Sequence, residues 1–129
     1  MRNIFTAGDI KEYRTVVKPE DVAAFHGETV HEVCSTFAMA REVEWTTRMF
    51  VLEMTEANEE GVGTYLEIRH EGPARVGEEI VIRGMFETLT GTELTCTFEA
   101  HVGDRLVARG KTRQKILTLD KIKSTFGHG

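Results

Sequence analysis

The chain has 129 residues, the length of one ordinary domain, and its 40% hydrophobic and 29% charged residues exclude a disordered protein. A net charge of −5 argues against a nucleic-acid-binding surface. No apolar run has the length of a membrane span or a signal peptide, and Cys34 and Cys96 form neither a metal-binding pattern nor a disulfide framework. We therefore expect a single cytoplasmic domain over residues 1–129, with reduced thiols and no membrane partner.

The first half of the chain is predicted to contain one strand and two helices. Residues 10–17 favour a strand, because Tyr13, Val16 and Val17 are β-prone. Pro19 followed by two acidic residues predicts a helix start, and residues 22–25 complete a short helix. After a loop over residues 28–35, a long helix is predicted to extend to about residue 58.

The long helix is apolar on two sides. At about 100° per residue, one face carries Thr36, Ala40, Val43, Thr47, Phe50 and Met54, and a second stripe carries Ala38, Trp45, Met49 and Leu52. A helix with two apolar faces is usually covered on both. We therefore expect a sheet on one face and another chain or strand on the other, and predict a homodimer.

The second half of the chain is predicted to be sheet. Residues 64–71, 79–88, 93–102 and 105–119 favour strands, and glycine-containing turns separate them. One long helix followed by long antiparallel strands predicts an α+β fold, in which a curved antiparallel sheet wraps round the helix.

Glu44 is a candidate functional residue because it lies at the edge of the first apolar stripe. Val43, Phe50 and Val51 are expected to remove solvent from its carboxylate, which would make it a better base or nucleophile. Glu44 and Arg48 are also spaced i, i+4, which is typical of a surface ion pair of small energetic worth. Both interpretations remain open at this point.

The stretch E-V-x-x-T-x-x-M-x-x-x-x-E-W at residues 32–45 resembles the fluoroacetyl-CoA thioesterase family of hot-dog proteins, and the resemblance covers residues 10–123. Its specific part is a threonine, a glutamate eight residues later and a histidine 26 residues after that, here Thr36, Glu44 and His70. The resemblance implies the hot-dog fold and hydrolysis of a small acyl-CoA thioester. It also implies that these three residues are catalytic, that Gly63 lies close to the substrate, and that no cofactor is needed beyond the substrate's CoA.

The chain departs from the family in the segment before the threonine. The fluoroacetyl-specific enzyme carries a phenylalanine-rich lid there, whereas this chain has E-T-V-H at residues 28–31, with Val30 in place of a lid phenylalanine. The catalytic residues carry over, but the resemblance does not imply fluoroacetyl selectivity. The identity of the acyl group is left open.

His70 shares a predicted strand face with Leu66 and Ile68 and should point toward the long helix. It is either a general acid or base near neutral pH, or a core histidine bonded to a backbone carbonyl. The remaining histidines, His26, His31, His101 and His128, have no metal-binding spacing, so no metal site is expected.

Thr36 lies where the long helix begins. It is expected to hold the attacking water or the thioester oxygen, or to cap the helix, for which Ser35 is equally suitable. If Thr36 and Glu44 are both helical, eight residues separate them by about 12 Å along the axis. Thr36 must then lie on chain that bends back, or act on the substrate from another side than Glu44.

Four basic residues share one face of the last predicted strand: Arg109, Lys111, Arg113 and Lys115. They either contact the CoA phosphates or guard an exposed edge strand against aggregation.

Two other functions also remain open. One is a non-catalytic protein that binds acyl-CoA or acyl-carrier protein, and the other is a MaoC-type enoyl-CoA hydratase. The hydratase motif is incomplete, because His31 has no aspartate five residues before it.

Overall fold

The structure, a computed structural model, describes the backbone of residues 1–25 and 28–126 and the side chains of residues 1–22 and 33–125. Its two α-helices are α1 (Thr36–Met54) and α2 (Leu119–Phe126). Its strands are β1 (Ile10–Val16), β2 (Val22–Phe25), β3 (Glu28–Cys34), β4 (Glu59–His70), β5 (Glu79–Thr90), β6 (Glu93–Val102) and β7 (Arg105–Thr118). Five strands form one antiparallel sheet in the order β1-β5-β6-β7-β4, while β2 and β3 form a separate pair.

Helix α1 packs against all five strands of the large sheet. Val43, Thr47, Phe50 and Met54 on its predicted inner face are buried. The Phe50 ring packs edge-on against Phe5 and Phe86, with ring centroids 4.9 and 5.9 Å away. The predicted α+β fold, with a long helix against an antiparallel sheet, is confirmed. Neither described helix has the length and hydrophobicity needed to cross a membrane.

The described residues cover the second apolar stripe of α1 only in part. Ala38 is buried, but Trp45 and Leu52 are 43% and 48% exposed. Strand β4, at one edge of the large sheet, exposes Tyr65 and Leu66 as well. One surface of the chain therefore combines an open sheet edge with exposed aromatic and aliphatic side chains.

The predicted short helix at residues 22–25 is wrong. Only Pro19–Asp21 form a helical turn, a single 3₁₀ turn, and Val22 begins a strand that pairs with β3. The predicted loop over residues 28–35 is wrong for the same reason, since β3 occupies most of it. Each segment is stabilised by pairing with the other, and such pairing leaves no periodic signal in four residues.

Three further boundaries differ from the prediction. Helix α1 ends at Met54, about one turn earlier than predicted, and β4 begins at Glu59, opposite Thr118 of β7. The last strand ends at Thr118, and helix α2, which the sequence did not predict, follows it. The residues after α1 form the start of β4 because they pair with the end of β7.

Asp21 connects the 3₁₀ turn to the start of α1. Its carboxylate accepts the Lys18 backbone N–H at 3.0 Å and the Arg41 guanidinium at 2.9 Å, and its carbonyl accepts the Ser35 N–H at 2.8 Å. Burial acts to raise the pKa of Asp21, but the Lys18 N–H and the Arg41 guanidinium outweigh it and hold that pKa below its ordinary value. Ionised Asp21 thus stabilises the folded chain.

We expect Asp21→Asn to lower the free energy of unfolding by about 2 kcal/mol at neutral pH. Because the folded pKa is depressed, this stabilisation is complete above the unfolded pKa and is lost as pH falls through the folded pKa. Urea unfolding of both proteins from neutral pH to about pH 3 should therefore show converging stabilities. Asp104→Asn, in the exposed β6–β7 turn, is the control. A loss that is constant with pH would contradict the role of the charge.

Candidate active site

Helix α1 begins at Thr36, and Ser35 is its N-cap. Ser35 Oγ accepts the backbone N–H of Ala38 at 3.0 Å. Because Ser35 supplies the cap, the Thr36 hydroxyl is available for another contact, and Thr36 Oγ1 lies 3.1 Å from His70 Nδ1. Ser35, not Thr36, therefore fulfils the capping role, and Thr36 is joined to the imidazole instead.

His70 is the last residue of β4 and is half-buried. A pocket of about 370 Å³ surrounds the pair, lined by Val33, Cys34, Ser35, Thr36, His70, Glu71, Gly72 and Pro73. The Nδ1 of His70 contacts a side-chain hydroxyl, not the backbone carbonyl that a core histidine would use. This arrangement fixes the ring orientation at the mouth of a pocket, as proton transfer requires.

Cys34 lies in the same pocket but is not a candidate nucleophile. Its side chain is 3% exposed, and burial raises the pKa of the Cys34 thiol to about 11, with the nearby Asp21 carboxylate adding to the shift. The thiol stays protonated at neutral pH, and the thiolate is the nucleophilic form. Cys96, in the core, is similar, since burial raises the pKa of its thiol to about 12.

Glu44 lies in a second pocket, of about 470 Å³, between α1 and the strands β4 and β7. This pocket is lined by Arg41, Glu44, Trp45, Arg48, Gly63, Thr64, Tyr65, Leu66, Thr112, Arg113 and Gln114. The expectation that Val43, Phe50 and Val51 desolvate Glu44 is wrong: these side chains are buried in the core, whereas Glu44 is exposed. A rotation of about 100° per residue turns Glu44 away from Val43 and Phe50, and Val51 lies almost two turns further along the helix.

The predicted ion pair between Glu44 and Arg48 does not form among the described residues. Arg48 instead pairs with Glu60 and donates to the carbonyl of Gly61 at 3.2 Å. The Glu44 carboxylate therefore faces the pocket without a salt-bridge partner in the described part of the chain.

The chain by itself brings together Thr36 and His70, but it does not bring Glu44 to them. The two pockets share no lining residue. Both Thr36 and Glu44 lie in α1, so their eight-residue spacing corresponds to about 12 Å along the helix axis. Thr36 lies in the first turn of the helix, so the chain does not bend back to bring it beside Glu44. The remaining expectation is that the two residues act on the substrate from different sides.

Gly63 lines the Glu44 pocket, as the family resemblance implies for a residue near the substrate. A methyl group built on Gly63 would meet no atom within 4 Å, so packing does not require glycine there. The β4–β7 register shifts between Gly63 and Tyr65, a bulge of the kind often found beside active sites. The absence of a side chain keeps this wall of the pocket open.

The other side chains that form the Glu44 pocket were not predicted from the sequence. Trp45, Tyr65 and Leu66 supply apolar walls, while Thr112 and Gln114 are buried at its base. The sequence pattern of β7 does indicate the inward position of Thr112 and Gln114, because they alternate with outward-pointing basic residues.

The row of basic residues on β7 does not guard an edge strand. Strand β7 lies between β6 and β4, so that part of the interpretation is wrong. Arg109 pairs with Glu71 at 3.2 Å and Lys111 with Glu87 at 3.4 Å, whereas the Arg113 guanidinium lies 4.6 Å from the centre of the Tyr65 ring.

The remaining histidines offer no second centre in the described residues. His101 lies on β6, with Nε2 3.9 Å from a Glu99 carboxylate oxygen. The side chains of His26, His31 and Val30, and the whole of His128, lie outside the described residues. Among those that are described, no cluster of three or more His, Cys, Asp or Glu side chains could hold a metal ion.

Comparison with known proteins relates the chain to acyl-CoA thioesterases. A family profile described as fluoroacetyl-CoA-specific thioesterase matches residues 17–120. A thioesterase superfamily member from Thermus thermophilus is 32% identical, with a TM-score of 0.92 over 98% of this chain and 93% of that chain. No curated protein matches the chain significantly.

Two more distant structures share the same architecture. A mutant of the fluoroacetyl-CoA thioesterase FlK, solved in complex with fluoroacetate and CoA, is 20% identical, with a TM-score of 0.84 over 92% of this chain and 99% of that chain. A hot-dog-like protein from Thermanaerovibrio acidaminovorans is 16% identical, with a TM-score of 0.86 over 94% and 90% of the two chains. These likenesses confirm the predicted hot-dog fold.

Proposed function

The chain belongs to the fluoroacetyl-CoA-specific thioesterase family, and we propose that it hydrolyses short acyl-CoA thioesters with Thr36, Glu44 and His70. The observation that carries this proposal is the contact of 3.1 Å between Thr36 Oγ1 and His70 Nδ1 at the start of α1. A hydroxyl, an imidazole and a helix N-terminus meet there, beside a pocket.

The start of α1 is suited to the thioester carbonyl. Backbone N–H groups in the first turn of a helix have no intrahelical partners and carry the positive end of the dipole. The N–H of Ala38 donates to Ser35 Oγ, and the N–H groups of Thr36 and Phe37 come before it at the helix start. In our proposal they stabilise the negative charge that develops on the carbonyl oxygen.

Thr36 and His70 supply positioning and a proton. When His70 is protonated, Nδ1–H donates to the Thr36 hydroxyl, and Nε2–H lies on the opposite side of the imidazole. Nε2–H then protonates the sulfur as the bond between carbon and sulfur breaks, which leaves a neutral ring. The Glu44 carboxylate drives the attack, by taking a proton from water or by adding to the carbonyl carbon to form an anhydride that water then hydrolyses.

We propose that Glu44 acts on a thioester held by the Thr36–His70 pair of a second copy of the chain. The separation of the two pockets in one chain supports this, as does the position of β4 at the sheet edge. An edge strand has unpaired N–H and C=O groups that can pair with another strand. Pairing of two β4 strands about a twofold axis would cover Trp45, Tyr65 and Leu66 and join the pockets of both copies.

This assembly predicts a homodimer in solution. Light scattering should give a mass twice that of one chain, independent of dilution over the micromolar range. A monomeric mass at all concentrations would contradict the shared site.

The proposed activity is tested by thiol release from acetyl-, propionyl-, butyryl- and fluoroacetyl-CoA. Cys34 and Cys96 are only 3% and 1% exposed, so the protein should add little background to a thiol reagent. We expect turnover of at least one substrate. Binding of acyl-CoA in calorimetry without release of thiol would contradict the proposal and indicate a binding protein. Hydration of crotonyl-CoA would instead indicate a hydratase.

A further inference from the structure

Three buried polar side chains form a hydrogen-bonded group beneath the Glu44 pocket. Thr47 of α1 is 0% exposed, and Thr112 and Gln114 of β7 are 2% and 7% exposed. Thr112 Oγ1 lies 2.9 Å and Gln114 Nε2 3.4 Å from Thr47 Oγ1. Thr112 and Gln114 are also the two buried residues that line the pocket, so they form its floor.

Helix α1 fixes the direction of these hydrogen bonds. Thr47 has one hydroxyl proton, and its Oγ1 lies 3.3 Å from the carbonyl oxygens of Val43 and Glu44, which can only accept. Since that proton is directed to the helix backbone, Thr47 Oγ1 accepts from the Thr112 hydroxyl and the Gln114 amide. Thr112 thereby uses its only hydroxyl proton, and the Gln114 nitrogen faces Thr47.

The floor offers a ligand two acceptor oxygens, beside the second N–H of Gln114 Nε2. Gln114 Oε1 accepts no hydrogen bond from a described residue. No fully buried side-chain polar atom in the described part lacks a partner, so this oxygen is open to the pocket that Gln114 lines. Thr112 Oγ1 retains acceptor capacity, because its proton is directed to Thr47.

Three arginines line the rim of the pocket, and two of them are already engaged: Arg41 pairs with Asp21 and Arg48 with Glu60. A carboxylate on the acyl group would find these guanidinium groups occupied, and an ammonium group would lie among like charges. A hydroxyl fits the floor, because it is neutral, donates to the floor oxygens and can accept from the Gln114 N–H.

From the proposed thioesterase activity, on which this step rests, we propose that the substrates are short acyl-CoA thioesters whose acyl group carries a hydroxyl. That hydroxyl donates to the floor oxygens, Gln114 Oε1 and Thr112 Oγ1. A fluorine substituent is close to a hydroxyl in size but cannot donate, so the same floor disfavours fluoroacetyl-CoA. The pocket of about 470 Å³ accommodates a short acyl chain.

The test compares substrates that differ at one group: glycolyl-, acetyl- and fluoroacetyl-CoA, and 3-hydroxybutyryl- against butyryl-CoA. One hydrogen bond to a buried acceptor is worth about 1–3 kcal/mol, so kcat/KM should favour the hydroxylated member of at least one series by about 10-fold or more. Fluoroacetyl-CoA should behave like acetyl-CoA in this respect. This comparison uses the wild-type protein and needs no variant.

Variants then assign the preference to the floor. Gln114→Leu should bring the ratio of kcat/KM values for each pair close to one, mainly by lowering the rate on the hydroxylated substrate. Thr112→Ser keeps the hydroxyl and should keep the preference. Thr97→Val, on the outer face of β6 and outside both pockets, serves as the control for loss of a threonine hydroxyl.

Acetyl- and butyryl-CoA hydrolysed as fast as, or faster than, their hydroxylated counterparts would overturn this inference and leave the thioesterase proposal intact. An unchanged preference in a folded Gln114→Leu variant would also overturn it, since the discrimination would then lie elsewhere. Absence of hydrolysis for every thioester would remove the proposed function itself, and the inference with it.

Discussion

Replacing Glu44 by glutamine is expected to lower kcat on a hydrolysed acyl-CoA by about 10²–10⁴-fold, because glutamine can neither take a proton from water nor add to the carbonyl. The side chain is exposed and forms no salt bridge among the described residues, so the variant should fold like the wild type.

His70→Ala should have an effect of the same order, since the leaving sulfur loses its proton donor.

Glu53→Gln is the matched control for Glu44→Gln. It makes the same chemical change on an exposed position of α1, where its ion pair with Lys11 is a surface contact of small worth. Its kcat should equal that of the wild type. Wild-type rates in both Glu44→Gln and His70→Ala would show that the family trio is not the working centre of this protein.

Mixing the two inactive variants tests whether the site is shared between copies. If Glu44 of one copy serves His70 of the other, co-refolded Glu44→Gln and His70→Ala chains form heterodimers with one intact site. Random pairing should then restore about a quarter of wild-type activity. Mixtures that stay inactive, although light scattering shows dimers, would mean that each chain supplies all three groups to its own site.

The second large effect concerns stability. Gly110 of β7 lies opposite Ile68 of β4 and Phe98 of β6. A Cβ at this position would lie 1.9 Å from the Glu67 carbonyl oxygen and 2.9 Å from the Phe98 ring, so alanine must force β4 away from β7. We expect Gly110→Ala to lower the free energy of unfolding by about 3 kcal/mol or more, and the Tm by roughly 10 °C.

Gly63→Ala is the control for this substitution. It makes the same change on the neighbouring strand β4, where a Cβ meets no atom within 4 Å. Its stability should match the wild type or exceed it slightly, since alanine restricts the unfolded chain. Urea and thermal unfolding that place both variants at one stability would contradict the close approach of β4 to Gly110.

The sequence predicted elements whose burial repeats locally. Val43, Thr47, Phe50 and Met54 recur at helical spacing, and they face the sheet as expected. The long strands after α1 were also found, because alternation over ten or more residues is a strong signal. The segment at residues 22–25 was assigned wrongly, since its strand conformation depends on pairing with β3 rather than on its own four residues.

The candidate site, too, was predicted only in part from the sequence. The spacing of Thr36, Glu44 and His70 could be read from the sequence by its resemblance to a family. Their mutual geometry could not, because it depends on where β4 ends relative to the start of α1. The structure joins Thr36 Oγ1 to His70 Nδ1 and leaves Glu44 exposed in a separate pocket.

By itself, the sequence determined the long helix, the four long strands that follow it and the fold class, and its resemblance to a family identified the three candidate catalytic residues. Only the tertiary structure decided that Ser35 caps α1, that Thr36 contacts His70, and that Thr112 and Gln114 form the floor beside Glu44. The physical reason is the separation along the sequence of the residues that interact. Helix periodicity and strand alternation are properties of neighbouring residues, whereas the direction of a hydrogen bond between α1 and β7 depends on residues 65 positions apart.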